Sequence, residues 1–298
     1  MTNLEYLKDI IEKISIRDDG EEIKALRSEA SKIEKILKGA FKGGDLTIKP
    51  GGSLAKGTMI KESYDLDLIC YFGREDESAG KTLKEIYDSV KKALETDYFV
   101  NPKKSALRIE SKQRVYFHVD VVPGRFVDGD SDDVFLYQEA GDKDYLKTNL
   151  SKHIDHVKSR GKNMTDIIKL LKFWRERNGL QSAKTFILEL LTIEILKGKD
   201  LSRIDNCLDY FLREVSESIQ NYKIEDPANP TGNDLSELFN DSVKNLMSSS
   251  AKNSLYIIGQ QGWQGVFGEI ESTTDDEKLA SIQKIQSQNP GPRPWLRK

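Results

Sequence analysis

The chain has 298 residues, 37% of them hydrophobic and 32% charged, and a formal net charge of −3. That composition describes a soluble globular protein of one large domain or two packed lobes, and its acidic balance argues against a constitutive nucleic-acid coat protein while leaving room for a local basic face. No apolar run approaches the length of a bilayer span, and the N-terminus, MTNLEYLKDIIEK, is charged and amphipathic rather than a signal peptide, so a cytoplasmic protein without membrane contact is expected.

In chain order, residues 21–41 place Ile23, Leu26, Ile33, Ile36 and Leu37 at helical spacing, and Gly43-Gly44 stops the run. DLTIKP predicts a short strand, and YDLDLICYF a second, rich in β-branched and aromatic residues. Residues 81–96 predict an amphipathic helix. ALRIES and RVYFHVDVV predict two further strands, and the acidic GRFVDGDSDD a loop. After about residue 145 the texture changes. TDIIKLLKFWRERNGL, AKTFILELLTIEILKG and SRIDNCLDYFLREVSESIQNY carry apolar faces of helical period; DPANPTGND reads as a loop and LSELFNDSVKNLMSSSAKN as a last helix. The expected class is α+β: a mixed-sheet lobe with an N-terminal helix over 1–145, a helical lobe over 146–270 forming a cleft with it, and a flexible tail over 271–298. Cys70 and Cys207 lie in apolar segments and read as buried free thiols.

Chemistry concentrates in GGSLAKGTMIKESYDLDL, residues 51–68. Residues i and i+2 of a strand share a face, so Asp65 and Asp67 project together while Leu66 and Leu68 enter a core. Two adjacent carboxylates repel unless a cation lies between them. Mg²⁺, usually held by one or two carboxylates plus substrate phosphates, suits that place. Asp120, in FHVDVV, supplies a third carboxylate; if its strand neighbours the first, all three converge at one sheet edge, enough for two metal ions. Upstream, Gly51-Gly52-Ser53 can bring backbone N–H groups and a hydroxyl close to phosphate oxygens, because glycine has no Cβ in the way. A short helix beginning at LAKGT would turn its positive end to the same anion. A GGS turn alone is ordinary loop chemistry and a lone D-x-D is usually a solvated strand face. Together, with a third aspartate on a later strand, they mark a site.

GGSLAKGT, YDLDL and HVDVVP resemble the signature of the DNA polymerase β-like nucleotidyltransferase superfamily. LLKFWRERNGL, TFILELLT and DPANPTGN resemble the corresponding segments of 2′-5′ oligoadenylate synthetases and of the bacterial cyclic-oligonucleotide synthases related to cyclic GMP–AMP synthase, the CD-NTases; the match runs in order over most of residues 45–235. The resemblance implies that 1–145 is a polymerase β-like catalytic lobe. It also implies an enzyme using two Mg²⁺ ions, with Mn²⁺ able to substitute, that joins NTPs, ATP among them, into a cyclic dinucleotide or oligonucleotide and releases pyrophosphate, in bacterial antiphage signalling. In that reading Asp65, Asp67 and Asp120 hold the metals, Asp120 on the ion that activates the acceptor hydroxyl. Gly52 and Ser53 hold the donor β/γ-phosphates, Lys172 reaches the triphosphate, Thr185 lies near phosphate and Phe186 stacks on the donor base. The sequence has no cysteine/histidine zinc insertion, so DNA sensing of the vertebrate kind is not implied. It identifies neither an activator nor a stable nucleic-acid partner.

Three alternatives stay open from the sequence: a linear 2′-5′ oligoadenylate-type synthase, an RNA-end enzyme of CCA-adding or poly(A) type, and a catalytically inactive nucleotide-binding protein. The acidic balance and the lack of an appended RNA-binding segment weigh against the second, and the presence of all three aspartates against the third. Without the resemblance, Lys172 is a solvated helix lysine and Phe186 as readily core as base platform. His118 reads as solvated or adjacent to the metal site, and His153 with His156 as a surface pair. Lys24, Arg27, Lys32, Lys35, Lys38 and Lys42, interleaved with Glu21, Glu22, Glu29 and Glu34, read as a salt-bridged solvent face, and Asp226 and Asn233 as loop formers bordering the pocket.

Overall fold

The computed structural model describes residues 1–269 except 18, 64, 113–118, 130–131 and 140–143; His118 and the tail over 271–298 lie outside the described residues. α1 (Asn3–Ile14) starts at a capping box between Thr2 and Glu5 and buries Tyr6, Leu7, Ile10, Ile11 and Ile14. α2 (Glu21–Ala40) buries Ile23, Leu26, Ile33 and Leu37, and pairs Lys24 with Glu21, Lys32 with Glu29 and Lys38 with Glu34, as the charge pattern predicts. β1 (Leu46–Pro50), the short helix α3 (Gly52–Lys56) and β2 (Leu66–Phe72) follow, then α4 (Leu83–Glu95), β3 (Tyr98–Pro102), β4 (Leu107–Ser111), β5 (Val119–Phe126), β6 (Asp133–Tyr137) and β7 (Tyr145–Asn149). The remainder is helical: α5 (Leu150–Lys158), α6 (Lys162–Arg177), α7 (Thr185–Ile195), α8 (Ile204–Ser218) and α9 (Asp241–Phe267).

The sheet has the order β1-β2-β5-β4-β3, with β6 on β5 and β7 on β6. Among the described residues only β2 and β5 run parallel; the other strand pairings are antiparallel. β5 is therefore central: β2 covers one edge, while β4 and β6 share the other, at its beginning and its end. α2 and α4 cover one face, where Leu66, Leu68, Cys70 and Phe72 of β2 meet Val119 and Val121 of β5. Ile69, Tyr71, Val134 and Leu136 form a smaller cluster on the other face. A larger core is built among α1, α6, α7, α8 and α9. α1, grouped by sequence with the first lobe, packs here, because its apolar stripe meets α6 and α8 rather than the sheet. Both cysteines are buried free thiols, as expected. Among the described residues no helix is long and apolar enough to cross a membrane.

Three elements differ from expectation. The first residues of the expected loop GRFVDGDSDD continue β5, because Gly124, Arg125 and Phe126 pair with Leu136, Phe135 and Val134 of β6. β3, β6 and β7 went unanticipated: each is five residues long and carries Asp, Asn, Pro or Lys among its apolar positions, which hides the alternation. Residues 235–239 form turns rather than the start of the last helix, since the Asn240 side chain caps the N–H of Val243 at 3.0 Å and starts α9 there.

The helical core is pinned by a buried polar contact, the Trp174 indole N–H donating to the Ser254 hydroxyl at 2.8 Å between α6 and α9. Trp174→Phe removes the donor and leaves a small void around Ser254. Loss of the bond alone should cost about 1–3 kcal/mol, visible as a lower urea midpoint.

Candidate active site

The pattern Leu-Asp-Leu in β2 and Val-Asp-Val in β5 sends the apolar residues into the α2/α4 core and both aspartates to the opposite face. The parallel register then sets Asp67 beside Asp120, and Asp65 immediately precedes β2. The two strands are neighbours, the condition on which the expected convergence of the three carboxylates depends. β4, antiparallel on the other edge of β5, adds Arg108 opposite Asp120. The Arg108 Nε donates to Asp120 Oδ1 at 2.9 Å, and its Nη2 is shared between Asp120 Oδ2 at 3.0 Å and Asp65 Oδ2 at 2.8 Å. Lys103, in the β3–β4 turn, donates from Nζ to Asp120 Oδ2 at 2.5 Å. The turn is itself held by α4, whose Tyr87 hydroxyl lies 2.9 Å from the Lys103 carbonyl oxygen and 3.0 Å from that of Ala106.

The two central carboxyls respond in opposite directions. Burial alone would raise Asp120, but Arg108 and Lys103 outweigh it and hold the group below the usual carboxylate range. Asp67 has no ion-pair partner among the described residues. Burial first, and then the charges of Asp120 and Asp65, push it up to about 6.

Against Asp67 lies the start of α3. The Gly51 N–H donates to the Asp67 carbonyl oxygen at 2.8 Å. Gly52 has φ +53°, and a Cβ there would fall 1.6 Å from Asp67 Oδ2, so glycine is required both by conformation and by space. Hard carboxylate oxygens from two adjacent strands, with side-chain-free backbone against one of them, fit a divalent cation such as Mg²⁺. Among the described residues no three acidic, histidine or cysteine side chains yet close around one point; Arg108 lies between Asp65 and Asp120.

Behind the loop is a second charged cluster, this one buried. Glu189 of α7, 1% exposed, forms ion pairs with Lys56 of α3 and, at 2.6 Å, with Lys172 of α6, and accepts from the Thr58 hydroxyl at 2.8 Å. The Lys172 ammonium also donates to Thr58 Oγ1 at 3.0 Å and to its carbonyl oxygen at 3.2 Å. Lys172, expected to reach a triphosphate, thus has all three hydrogens engaged inside the protein. Burial pushes its pKa down, against the pull of Glu189. For Glu189 burial acts upward, but Lys172 and Lys56 outweigh it and bring the carboxyl to about 2. Thr185 and Phe186, both half-buried, begin α7. The Phe186 ring is 5.7 Å from Lys56 Nζ and 5.1 Å, centroid to centroid, from His153.

His153 is not half of a surface pair. Its Nε2 is 2.7 Å from Asp226 Oδ1, and Asp226 is buried, accepting from Asn233 Nδ2 at 2.7 Å and from the Ala228 N–H at 2.8 Å. The loop reading of Asp226 and Asn233 holds, with the added task of fixing α5 through His153. Sequence reasoning missed Lys56, Thr58, Lys103, Arg108 and Glu189. A signal existed for Glu189, a lone charge in the ILELLTI run of a helix buried almost all round, where a charge needs a partner. Arg108 had a weaker one, a cation alternating with core residues Leu107 and Ile109.

Glu189→Gln leaves two buried ammonium groups facing a neutral amide and should cost about 3–5 kcal/mol. Because the folded carboxyl titrates at about 2, below its ordinary 4.5, its stabilisation is complete above pH 4.5 and lost as pH falls toward 2. The gap between wild-type and Glu189→Gln urea midpoints should therefore narrow progressively below pH 4.5.

The nucleotidyltransferase domain family matches residues 30–118, a span holding Gly52, Ser53, Asp65 and Asp67 and ending two residues before Asp120. The chain is 27% identical over 246 residues to the cyclic AMP-AMP-AMP synthase of Escherichia coli strain MS 115-1, covering 70% of this chain and 75% of that protein. Its fold matches that of E. coli MS115-1 CdnC with ATP at a TM-score of 0.68 and 22% identity, over 90% of this chain and 97% of the other. It also matches Cid1 poly(U) polymerase at 0.64 and 12% identity, over 90% and 98%. The chain is a nucleotidyltransferase, homologous to the E. coli cyclic AMP-AMP-AMP synthase and built on the polymerase β-like fold that the CD-NTases share.

Proposed function

We propose that this enzyme joins NTPs into a cyclic oligonucleotide signal of the kind used in antiphage defence, releasing pyrophosphate at each step. The observation that carries the site is the register that sets Asp67 beside Asp120 while the backbone of Gly52 lies against the Asp67 carboxylate. A strand pair alone would be a solvated face; here the side-chain-free backbone of Gly52 is packed against one of the two carboxylates, the kind of glycine turn whose N–H groups can approach phosphate oxygens. The homology to a cyclic AMP-AMP-AMP synthase makes ATP the first substrate to test.

In this reading Asp65, Asp67 and Asp120 would hold Mg²⁺, Asp120 on the acceptor side. The metal, when bound, supplies charge neutralisation of the triphosphate and a more acidic acceptor hydroxyl. Gly52 and Ser53 hold the β- and γ-phosphates at the start of α3. Phe186 offers a ring to the donor base, kept in place by His153 and Asp226. Thr185, one residue before it, lies toward the phosphates. Lys172 acts from behind, through Thr58 and Glu189, to fix the residues that follow α3. The acceptor oxygen attacks the α-phosphorus, the bond from that phosphorus to the β-bridging oxygen breaks, and pyrophosphate leaves. A second such step, within the linear product, closes the ring.

The test is incubation of purified protein with labelled NTPs, singly and mixed, with Mg²⁺ or Mn²⁺, followed by phosphatase treatment and mass spectrometry. Phosphatase-resistant cyclic products are expected. Asp67→Asn and Gly52→Ala should each lower their yield by roughly 100-fold or more, the first by weakening the metal site and the second by forcing the loop and the Asp67 carboxylate apart. Linear products alone, or extension only of added RNA, would overturn the cyclic reading.

A further inference from the structure

Two cations already occupy the acidic face. Arg108 is fixed by strand register opposite Asp120, and its guanidinium spans the gap between Asp120 and Asp65: Nε on one Asp120 oxygen, Nη2 on the other and on Asp65. Lys103 adds a second ammonium on Asp120 Oδ2. Both oxygens of Asp120 and one of Asp65 are thus engaged by charge-assisted bonds. Three carboxylates and these two cations leave a local charge of −1, where three bare carboxylates would carry −3.

We propose that Arg108, assisted by Lys103, is an internal counter-ion that holds the nucleotide-free site together and competes with the first divalent ion for Asp65 and Asp120. This rests on the reading of Asp65, Asp67 and Asp120 as metal ligands. The competition is steric as well as electrostatic. A divalent ion such as Mg²⁺ takes carboxylate oxygens at about 2.0–2.1 Å, in the space where Nη2 now sits 2.8 and 3.0 Å from the two aspartates. The fork is anchored at its Nε, so the Nη2 contact to Asp65 is the one to release. Release is feasible, because the Arg108 side chain is 26% exposed and that of Asp65 46%.

The displaced guanidinium remains next to the site as a free anion-binding fork. A metal arriving with a triphosphate supplies it with new acceptors; a metal arriving alone does not. Metal and nucleotide then favour each other's binding through Arg108, with no other part of the protein required to move.

The test measures Mn²⁺ binding to nucleotide-free protein by the paramagnetic resonance signal of the free ion, with melting temperatures in EDTA and in excess Mn²⁺. Arg108→Gln should bind Mn²⁺ about tenfold tighter than wild type, melt lower than wild type in EDTA, and gain more from added Mn²⁺. Arg108→Lys keeps the charge but not the fork; it should fall between the two, and it carries the test should Arg108→Gln fail to fold. Folded variants with Mn²⁺ affinity equal to or weaker than wild type overturn the counter-ion proposal. Asp67→Asn separates the two readings. If wild type binds Mn²⁺ and Asp67→Asn loses it while the Arg108 variants match wild type, only the counter-ion proposal fails. If wild type shows neither binding nor a melting response to Mn²⁺, the metal reading fails and this proposal with it.

Discussion

Glu189 is the contact on which the geometry of the site depends. A carboxylate 1% exposed inside a helical core is tolerable only when opposite charges and donors surround it. Here they come from different parts of the chain, Lys56 from α3, Thr58 from the turn after it and Lys172 from α6. The sheet and the helices have separate hydrophobic cores, and apolar packing within each fixes nothing about the position of one against the other. The buried ion cluster does, because sliding α3 along α7 by even a residue would strand a charge.

With α3 held from behind, its front is set by contact rather than by bonding. Gly52 lies so close to the Asp67 carboxylate that no other residue fits, and the Gly51 N–H is tied to the backbone of the same aspartate. The loop and the first carboxylate strand are therefore one rigid unit. Asp120 joins it through the parallel β2/β5 ladder, whose seven paired positions leave no freedom of register without turning Leu66, Leu68, Val119 and Val121 out of their core. The two strand carboxylates are placed by the hydrophobic residues that flank them.

This explains what was legible in the sequence. Asp65, Asp67, Asp120, Gly52 and Ser53 could be singled out because strand alternation assigns Asp67 and Asp120 a face and because the GGS turn, ordinary alone, precedes a D-x-D and a third aspartate in one sequence. The strand neighbours of Asp120 could not: that β4 rather than another strand lies beside it is a property of topology, so Arg108 and Lys103 stayed invisible as partners. Lys172 and Glu189 show a different limit. Their helical periodicity located both on buried surfaces only once the helices were packed, and a lysine aligned with a phosphate-binding position can still spend its donors on a neighbouring glutamate. The short strands β3, β6 and β7 were hidden because pairing with a neighbouring strand, not their own composition, stabilises them.

The charges also form an ordered series through the site. Arg108 and Lys103 face Asp120 and Asp65; Asp67 follows; then Lys56 and Lys172, and last Glu189. Asp67 feels both ends, raised by burial and then by its fellow aspartates and lowered by Lys56 and Lys103. It is the member with no dedicated counter-ion among the described residues, and it is also the member against which the Gly51-Gly52 turn is pressed. A triphosphate placed there would add negative charge to an already uncompensated carboxylate, so its binding must be coupled to arrival of positive charge at the same point. The demand for a cation is therefore greatest at Asp67, and least at Asp120, where the protein has supplied its own.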